Sequence, residues 1–283
     1  MQSCPSCGHD DLSISRYPGF ISRFFAGLML MHCPKCGLSW VPVPNLDLDD
    51  YYTNYYTNEF QSYRRFEGKF FSSANPVWSR EKHPSRDRAR NHSQILGRYG
   101  KMKRVLDIGC GEGILLHMLS ADEKYAWEPD KHVQRILEEE VGAIRVSGIE
   151  DVQDLDAIVA SHVLEHFTYE NILEKIDQIY NSLRPGGIFL AEVPDGAAQI
   201  AKFTKGERPP EQRLEPHTLF YSSYSLCRLI KASGFEIKET KICEWTRNNV
   251  DKADLAAVIG PADTSQKPLI VVAQKPLGQP GGR

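Results

Sequence analysis

Two pairs of cysteines and one glycine-rich turn carry most of the chemistry that this sequence can express. Cys4-Pro-Ser-Cys7 and Cys33-Pro-Lys-Cys36 are CxxC turns with 25 residues between them. A CxxC turn aims two thiolates at one point, and two such turns complete a tetrahedral set of four sulfurs for Zn2+. Gly8 and Gly37 follow the pairs, and a flexible residue there lets backbone amides turn toward the sulfurs. Four thiolates close every position on the ion, so Cys4, Cys7, Cys33 and Cys36 predict a structural metal. Zinc is the expected ion, with an iron–sulfur site as the alternative. The remaining thiols, Cys110, Cys227 and Cys243, read as small buried side chains. Seven cysteines in 283 residues exclude a secreted disulfide framework.

The second motif is VLDIGCGEG at 105–113. An apolar strand ends at Asp107-Ile108, a tight loop follows and a helix begins. Gly109, Gly111 and Gly113 let the backbone turn sharply and approach a ligand without a Cβ clash. The loop lacks the GxGxxG spacing of a dinucleotide site and the Lys of a phosphate loop, which argues against a dehydrogenase. Glu128 lies 21 residues beyond Asp107, at the end of the next predicted strand. A carboxylate there can accept both ribose hydroxyls of an adenosine, the alternative being a surface acid.

On these residues the sequence resembles the class I S-adenosylmethionine-dependent methyltransferases, in specific motifs over 104–193 and more loosely elsewhere. The resemblance implies that Asp107, Gly109, Cys110, Gly111 and Gly113 line the methionine part of the cofactor. It implies that Glu128, with Pro129 beside it, holds the ribose. In SHVLEHF (161–167) Ser161 and His162 would lie beside the sulfonium, with Glu165-His166 opening the next helix. LRPGG (183–187) matches the turn before the fifth strand. Members often carry an Asp after the third strand for the adenine amino group. Here VSGIEDV (146–152) puts Gly148 in that place, and backbone contacts from Ile149 or the Glu150 carboxylate are the expected substitutes, unless Glu150 is a solvent-facing loop acid. LEPHTLFYSS (214–223) resembles a segment of a subgroup that carries an N-terminal CxxC…CxxC module and acts largely on sugars and glycan precursors. That likeness implies His217 at the substrate.

Methyl transfer is an in-line displacement at a sulfonium carbon, and alignment supplies much of its acceleration. An oxygen or carbon nucleophile usually also needs a base, and His has a suitable unperturbed pKa. His217 is the favoured base or substrate ligand, with His166, Glu215 and Tyr221 as supporting candidates; the alternative for His217 is a loop residue anchoring a lid. Tyr51, Tyr52, Tyr55, Tyr56, Tyr63 and Phe66 could stack on a sugar face, and Arg64 and Arg65 could hold a phosphate; the alternative, expected for most of the rings, is an aromatic helix packed on the Rossmann-like core. Residues 62–104 hold 12 Lys/Arg against 3 Asp/Glu, including Arg80, Lys82, Arg86, Arg88 and Arg90.

The elements that must position these groups follow from periodicity. Apolar runs at 104–108, 125–128, 157–161 and 188–193 alternate with helical patterns at 113–120, 131–141 and 169–183, which predicts parallel βαβ units. The expected architecture is α/β: a Rossmann-like seven-stranded core over 104–275 with a lid at 194–221. A zinc-ribbon module (1–45), a helical linker (46–103) and a flexible tail (276–283) complete it. The composition, 41% hydrophobic and 25% charged with a net charge of −3, suits a folded chain and not a basic nucleic-acid binder. No targeting or membrane-spanning run is evident, so a cytoplasmic enzyme is expected. The expected function is methylation, on O or C, of a sugar or glycan precursor, with or without a phosphate. An RNA methyltransferase or a non-catalytic cofactor-binding protein are the alternatives.

Overall fold

The structure is a computed structural model that describes residues 3–17, 24–43, 46–51, 85–130, 133–205, 217–264 and 268–278. An eight-stranded sheet forms its centre. Its strands are β4 (Arg104–Ile108), β5 (Glu123–Trp127), β6 (Ile144–Arg145), β7 (Leu155–Ser161), β8 (Leu183–Val193), β10 (Glu236–Lys241), β11 (Ala262–Asp263) and β12 (Leu269–Gln274). Their order is β11-β10-β12-β8-β7-β4-β5-β6. Strands β6, β5, β4, β7 and β8 are mutually parallel, while β12 runs antiparallel to both β8 and β10. This is the doubly wound α/β arrangement predicted, with seven strands in the core and β11 added at one edge.

Each central strand is apolar on both faces because helices cover both. Val105, Ala157, Val159, Ile188, Leu190, Ile270 and Val272 pack into one apolar layer. Their chain neighbours Leu106, Ile158, Ala160, Phe189, Ala191, Val271 and Ala273 pack into the other. Helix α1 (Arg86–Gly97) brings Ala89, Ile95 and Leu96 to the first layer. α4 (Ile172–Ser182) faces the second through Ile172, Ile176 and Ile179, which are spaced for one helical stripe. Between them in sequence come α2 (Ile114–Met118) and α3 (Gln134–Ile136), the latter continuing as a wider turn over Leu137–Val141. α5 (Gly196–Lys205) and α6 (Ser223–Ala232) follow, and Ser222 caps α6 by accepting from the Ser225 amide.

The N-terminal cysteines lie in turns before and within a second sheet, Cys4 and Cys7 ahead of β1 (Ser13–Arg16), and Cys33 and Cys36 between β2 (Met29–His32) and β3 (Ser39–Trp40), its strands all antiparallel. Its fourth strand is β9 (Leu219–Phe220), from the far end of the chain, which pairs with β3. Cys4, Cys33, Cys36, Leu38 and Trp40 join the apolar layer that also holds Leu226, Leu229 and Ile230 of α6. Ser222 Oγ donates to the Cys36 carbonyl and Ser6 Oγ to the Ser225 carbonyl. The N-terminal segment is thus stitched to the core by sheet pairing and shared packing.

Several expectations fall outside the described residues: Glu215, Tyr52, Tyr55, Tyr56, Tyr63, Phe66, Arg64, Arg65, Arg80, Lys82 and the 206–216 part of the lid. Of the aromatic run, Tyr51 is described, fully buried against Phe24 and Phe25. Residues 244–258, where no element was predicted, form α7 (Glu244–Asn249) and α8 (Lys252–Val258). Among the described residues no helix is long and apolar enough to cross a membrane.

Candidate active site

The order of the sheet reverses between β4 and β7, and in such sheets ligands bind in the crevice beyond the carboxyl ends of the strands there. Ile108 is level with Trp127 on one side and Ala160 on the other, so 109–113, 128–130 and 161–167 converge at that crevice. Gly109, Gly111 and Gly113 all have positive φ, at 64°, 53° and 74°, a conformation that favours glycine. The Gly109 amide donates to the Trp127 carbonyl at 2.7 Å. Glu128 takes the Gly111 amide on one carboxylate oxygen and the Asp130 amide on the other, at 2.8 and 2.9 Å. Burial raises its pKa.

Two observations test whether these residues fit the cofactor. Asp107 is buried, and its carboxyl has no hydrogen-bond partner among the described residues; burial, then the charge of Glu128, pushes its pKa up to about 8, and Arg88 of α1 partly offsets this. A carboxyl left so is compensated by a cationic or hydrogen-donating ligand. A Cβ on Gly111 would meet no atom within 4 Å, so the loop presents bare backbone to open space. Both features suit the amino acid end of S-adenosylmethionine. A Cβ on Gly109, by contrast, would lie 2.5 Å from Val163 Cγ2. Gly109 is therefore packed tightly where the two loops meet, and a side chain there would cost stability as well as ligand space.

Past β7 the chain bends through His162, one of two non-glycine residues with positive φ (58°) among the described residues. Such a conformation costs about 1–2 kcal/mol. Its amide donates to the Glu192 carbonyl at 2.8 Å. Its ring lies between two buried carboxylates, with Nδ1 3.3 Å from Glu165 and Nε2 3.4 Å from Glu192. Burial opposes charge on this ring, but the two carboxylates outweigh it and push its pKa up to about 9. Glu192, at the end of β8, also bonds His92 of α1. Burial would raise its pKa, yet the two imidazoles hold it at about 2.

The segment 217–221 closes the other side. Thr218 donates its amide and its hydroxyl to the Glu165 carbonyl, and Tyr221 donates its hydroxyl to the Leu164 carbonyl. Tyr17, from the N-terminal segment, clamps His217 on both backbone sides: its hydroxyl donates to the His217 carbonyl at 3.0 Å and accepts from the His217 amide at 2.9 Å. The His217 ring stands edge-on to His166, 5.0 Å between centroids. Its Nδ1 is 3.2 Å from Gln199 Oε1, a contact that favours the tautomer with the proton on Nδ1 and the lone pair on Nε2. Burial and the neighbouring His166 pull its pKa down to about 3, so it is a neutral imidazole at working pH. Tyr17→Phe removes both clamps while keeping the ring. We expect kcat to fall about tenfold, the worth of one or two net hydrogen bonds, with cofactor affinity unchanged in a binding titration.

The four cysteines converge in the N-terminal segment. Their sulfurs lie within 4.8 Å of one another, with Cys4–Cys36 at 3.5 Å and Cys7–Cys33 at 3.6 Å, and all four are unpaired by disulfides. Four sulfurs about 2.3 Å from a tetrahedral ion are about 3.8 Å apart. The two turns repeat one pattern: the Gly8 and Gly37 amides donate to the Cys4 and Cys33 carbonyls, and the Cys4 and Cys33 amides to the His9 and Leu38 carbonyls. Spacing, chemistry and backbone all fit zinc.

Of the residues singled out from sequence, Asp107, Gly109, Cys110, Gly111 and Gly113 lie at and after the end of β4, Glu128 after β5, and Ser161, His162 and His166 at and after the end of β7, with the His217 ring against His166. Pro129 is exposed beside Glu128. Glu150 stays exposed with its carboxylate folded over Gly148, and it is Asp151 that accepts the Ser147 and Gly148 amides. Sequence reasoning passed over Tyr17, His92, Glu192 and Gln199. Each reaches the site from an element remote in sequence, and no local pattern marks them.

A family model described as a methyltransferase domain matches residues 80–240, more than half of the chain. Among solved structures, the magnesium protoporphyrin IX methyltransferase of Synechocystis with bound S-adenosylhomocysteine superposes at TM-score 0.51 and 15% identity, covering 80% of this chain and 100% of that one. The 1,6-didemethyltoxoflavin-N1-methyltransferase of Burkholderia thailandensis does so at 0.50 and 16%, covering 85% and 96%. A methyltransferase of Clostridium acetobutylicum gives 0.51 at 10%, covering 76% and 99%. No curated protein sequence matches this chain. At these identities the structures speak for the fold, and the family match speaks for the activity: the chain belongs to the methyltransferase domain family and is an S-adenosylmethionine-dependent methyltransferase.

Proposed function

We propose that the enzyme methylates a hydroxyl or carbon of a sugar or glycan precursor, with zinc held by the four cysteines as a structural ion. S-adenosylmethionine supplies an electrophilic methyl on a sulfonium. Asp107, Gly111 and Glu128 bind it, and the bent loop at His162 faces its reacting end. The observation that carries the acceptor half is His217: a neutral imidazole, biased toward one tautomer by Gln199 and fixed in position by Tyr17, beside Glu165 and His166. A buried acceptor of a hydrogen bond so placed orients a nucleophilic hydroxyl toward the methyl carbon. Arg88, close enough to act on both Asp107 and His162, adds positive charge beside the crevice, in keeping with a phosphate-bearing acceptor.

His217→Ala is expected to lower kcat by about 10²–10⁴-fold, the usual worth of such a group, while cofactor binding persists. The acceptor is sought by offering nucleotide sugars, lipid-linked glycans and RNA with radiolabelled methyl donor. Label entering RNA and no saccharide would replace this reading with the RNA one.

A further inference from the structure

We propose that Glu165, His166 and His217 form a divalent-cation site that holds the acceptor oxygen. The inference rests on the methyl-transfer reading above and deepens its acceptor half, with His217 reaching the acceptor through the ion. One carboxylate oxygen and two imidazole nitrogens lie within 4.8 Å of one another here. Two histidines and a carboxylate are a donor set for divalent transition cations that leaves coordination positions open for a reacting molecule.

An independent observation points to a missing partner. Glu165 is 1% exposed, and among the described residues neither of its carboxylate oxygens has a hydrogen-bond partner. His162 Nδ1, 3.3 Å from one of them, supplies charge without an aligned N–H. A buried carboxylate in this condition is strongly disfavoured, and a cation at the carboxylate would relieve it. The support around His217 has the form expected of a ligand. Its Nδ1 is engaged by Gln199, as a metal-bound histidine engages its second nitrogen with an outer partner, and Nε2 is left for the ion. The backbone is already set: Thr218, next to His217, bonds twice to the carbonyl of Glu165. An ion about 2.1 Å from each donor therefore asks only for side-chain rotation. Bound there, it would polarise an acceptor hydroxyl. The hydroxyl proton leaves to solvent, an oxygen lone pair forms the new bond to the methyl carbon, and the S–C bond pair returns to sulfur as a neutral thioether.

The test is cation binding, read apart from turnover. Full-length protein with the four-cysteine site zinc-loaded is titrated with Mn2+, followed by loss of the free-ion electron paramagnetic resonance signal, and with Zn2+ by calorimetry. One further equivalent per chain is expected. Glu165→Gln and His217→Ala should each weaken it at least tenfold while melting temperature and cofactor binding are retained. No equivalent of either ion beyond the four-cysteine site, or binding unchanged in both variants, overturns the inference. If it fails while methyl transfer to a saccharide proceeds without added cation, the proposed function stands alone. If the ion binds and no saccharide is methylated, the cation site stands and the acceptor reading falls.

Discussion

Cys36→Ser is expected to yield protein without zinc, with a melting temperature lower by about 10 °C or more and catalysis lost before cofactor binding. Metal analysis of the parent protein should find zinc bound by the four cysteines, and this variant should bind none there. The magnitude follows from where the cysteine is. Cys36 is fully buried, its sulfur faces Cys4 at 3.5 Å, and its carbonyl accepts from the capping residue of α6. Zinc supplies an apparent 10–16 kcal/mol to small zinc-finger peptides. Even about 4 kcal/mol of that, at roughly 2–4 °C per kcal/mol for a chain of this size, gives the expected shift.

The shape of the transition separates two pictures of the N-terminal segment. A ribbon tethered as an independent module would melt alone and leave the catalytic core unchanged. Here β3 pairs with β9, Cys36 and Leu38 share a core with Leu226 and Leu229, and Tyr17 grips His217. Calorimetry should therefore show one transition moved down rather than an early second one. Loss of the ribbon should displace His217 while 109–113 and Glu128, on the far side of the crevice, keep their bonds. An unchanged melting temperature with full turnover after zinc removal would contradict this.

How much of this was legible in the sequence depended on the range over which each feature is encoded. Strand β4 was legible to the residue, 104–108, because a buried parallel strand is an unbroken apolar run between turn signals. The glycine loop and Glu128 were legible because the tight turn and the 21-residue span of one βα unit are local. The pairing of β3 with β9 was not, since two-residue strands 180 positions apart leave no periodic trace. α7 and α8 were missed because α8 has no buried residue and α7 buries only Thr246, so neither carries a wide apolar stripe. The Tyr17 clamp and the His92–Glu192 contact join residues 200 and 100 positions apart, and each partner taken alone looks like an ordinary polar residue. The glycines show the same limit. They read as three equivalent positions, yet Gly109 is pressed against Val163, Gly113 against Leu137 and Val141, and Gly111 faces open space.

That difference yields the sharpest test of the cofactor site. Gly111→Asn should fold normally and lose affinity for S-adenosylmethionine by about 100-fold or more. Asn tolerates the left-handed backbone better than other side chains, and the φ of 53° at Gly111 lies in that region, so the strain is small. The new side chain meets no protein atom near its Cβ, so it projects into the space over the loop and excludes the ligand. A hundredfold loss corresponds to about 2.7 kcal/mol, within the reach of one steric block. Gly109→Ala is the contrasting variant: its methyl would strike Val163 Cγ2, and overpacking of this kind costs about 1–3 kcal/mol of stability. Thermal melts and cofactor titrations on the two variants should thus separate, with Gly111→Asn stable and unable to bind and Gly109→Ala destabilised as well as impaired. If Gly111→Asn binds S-adenosylmethionine as the parent does, the cofactor does not lie over this loop.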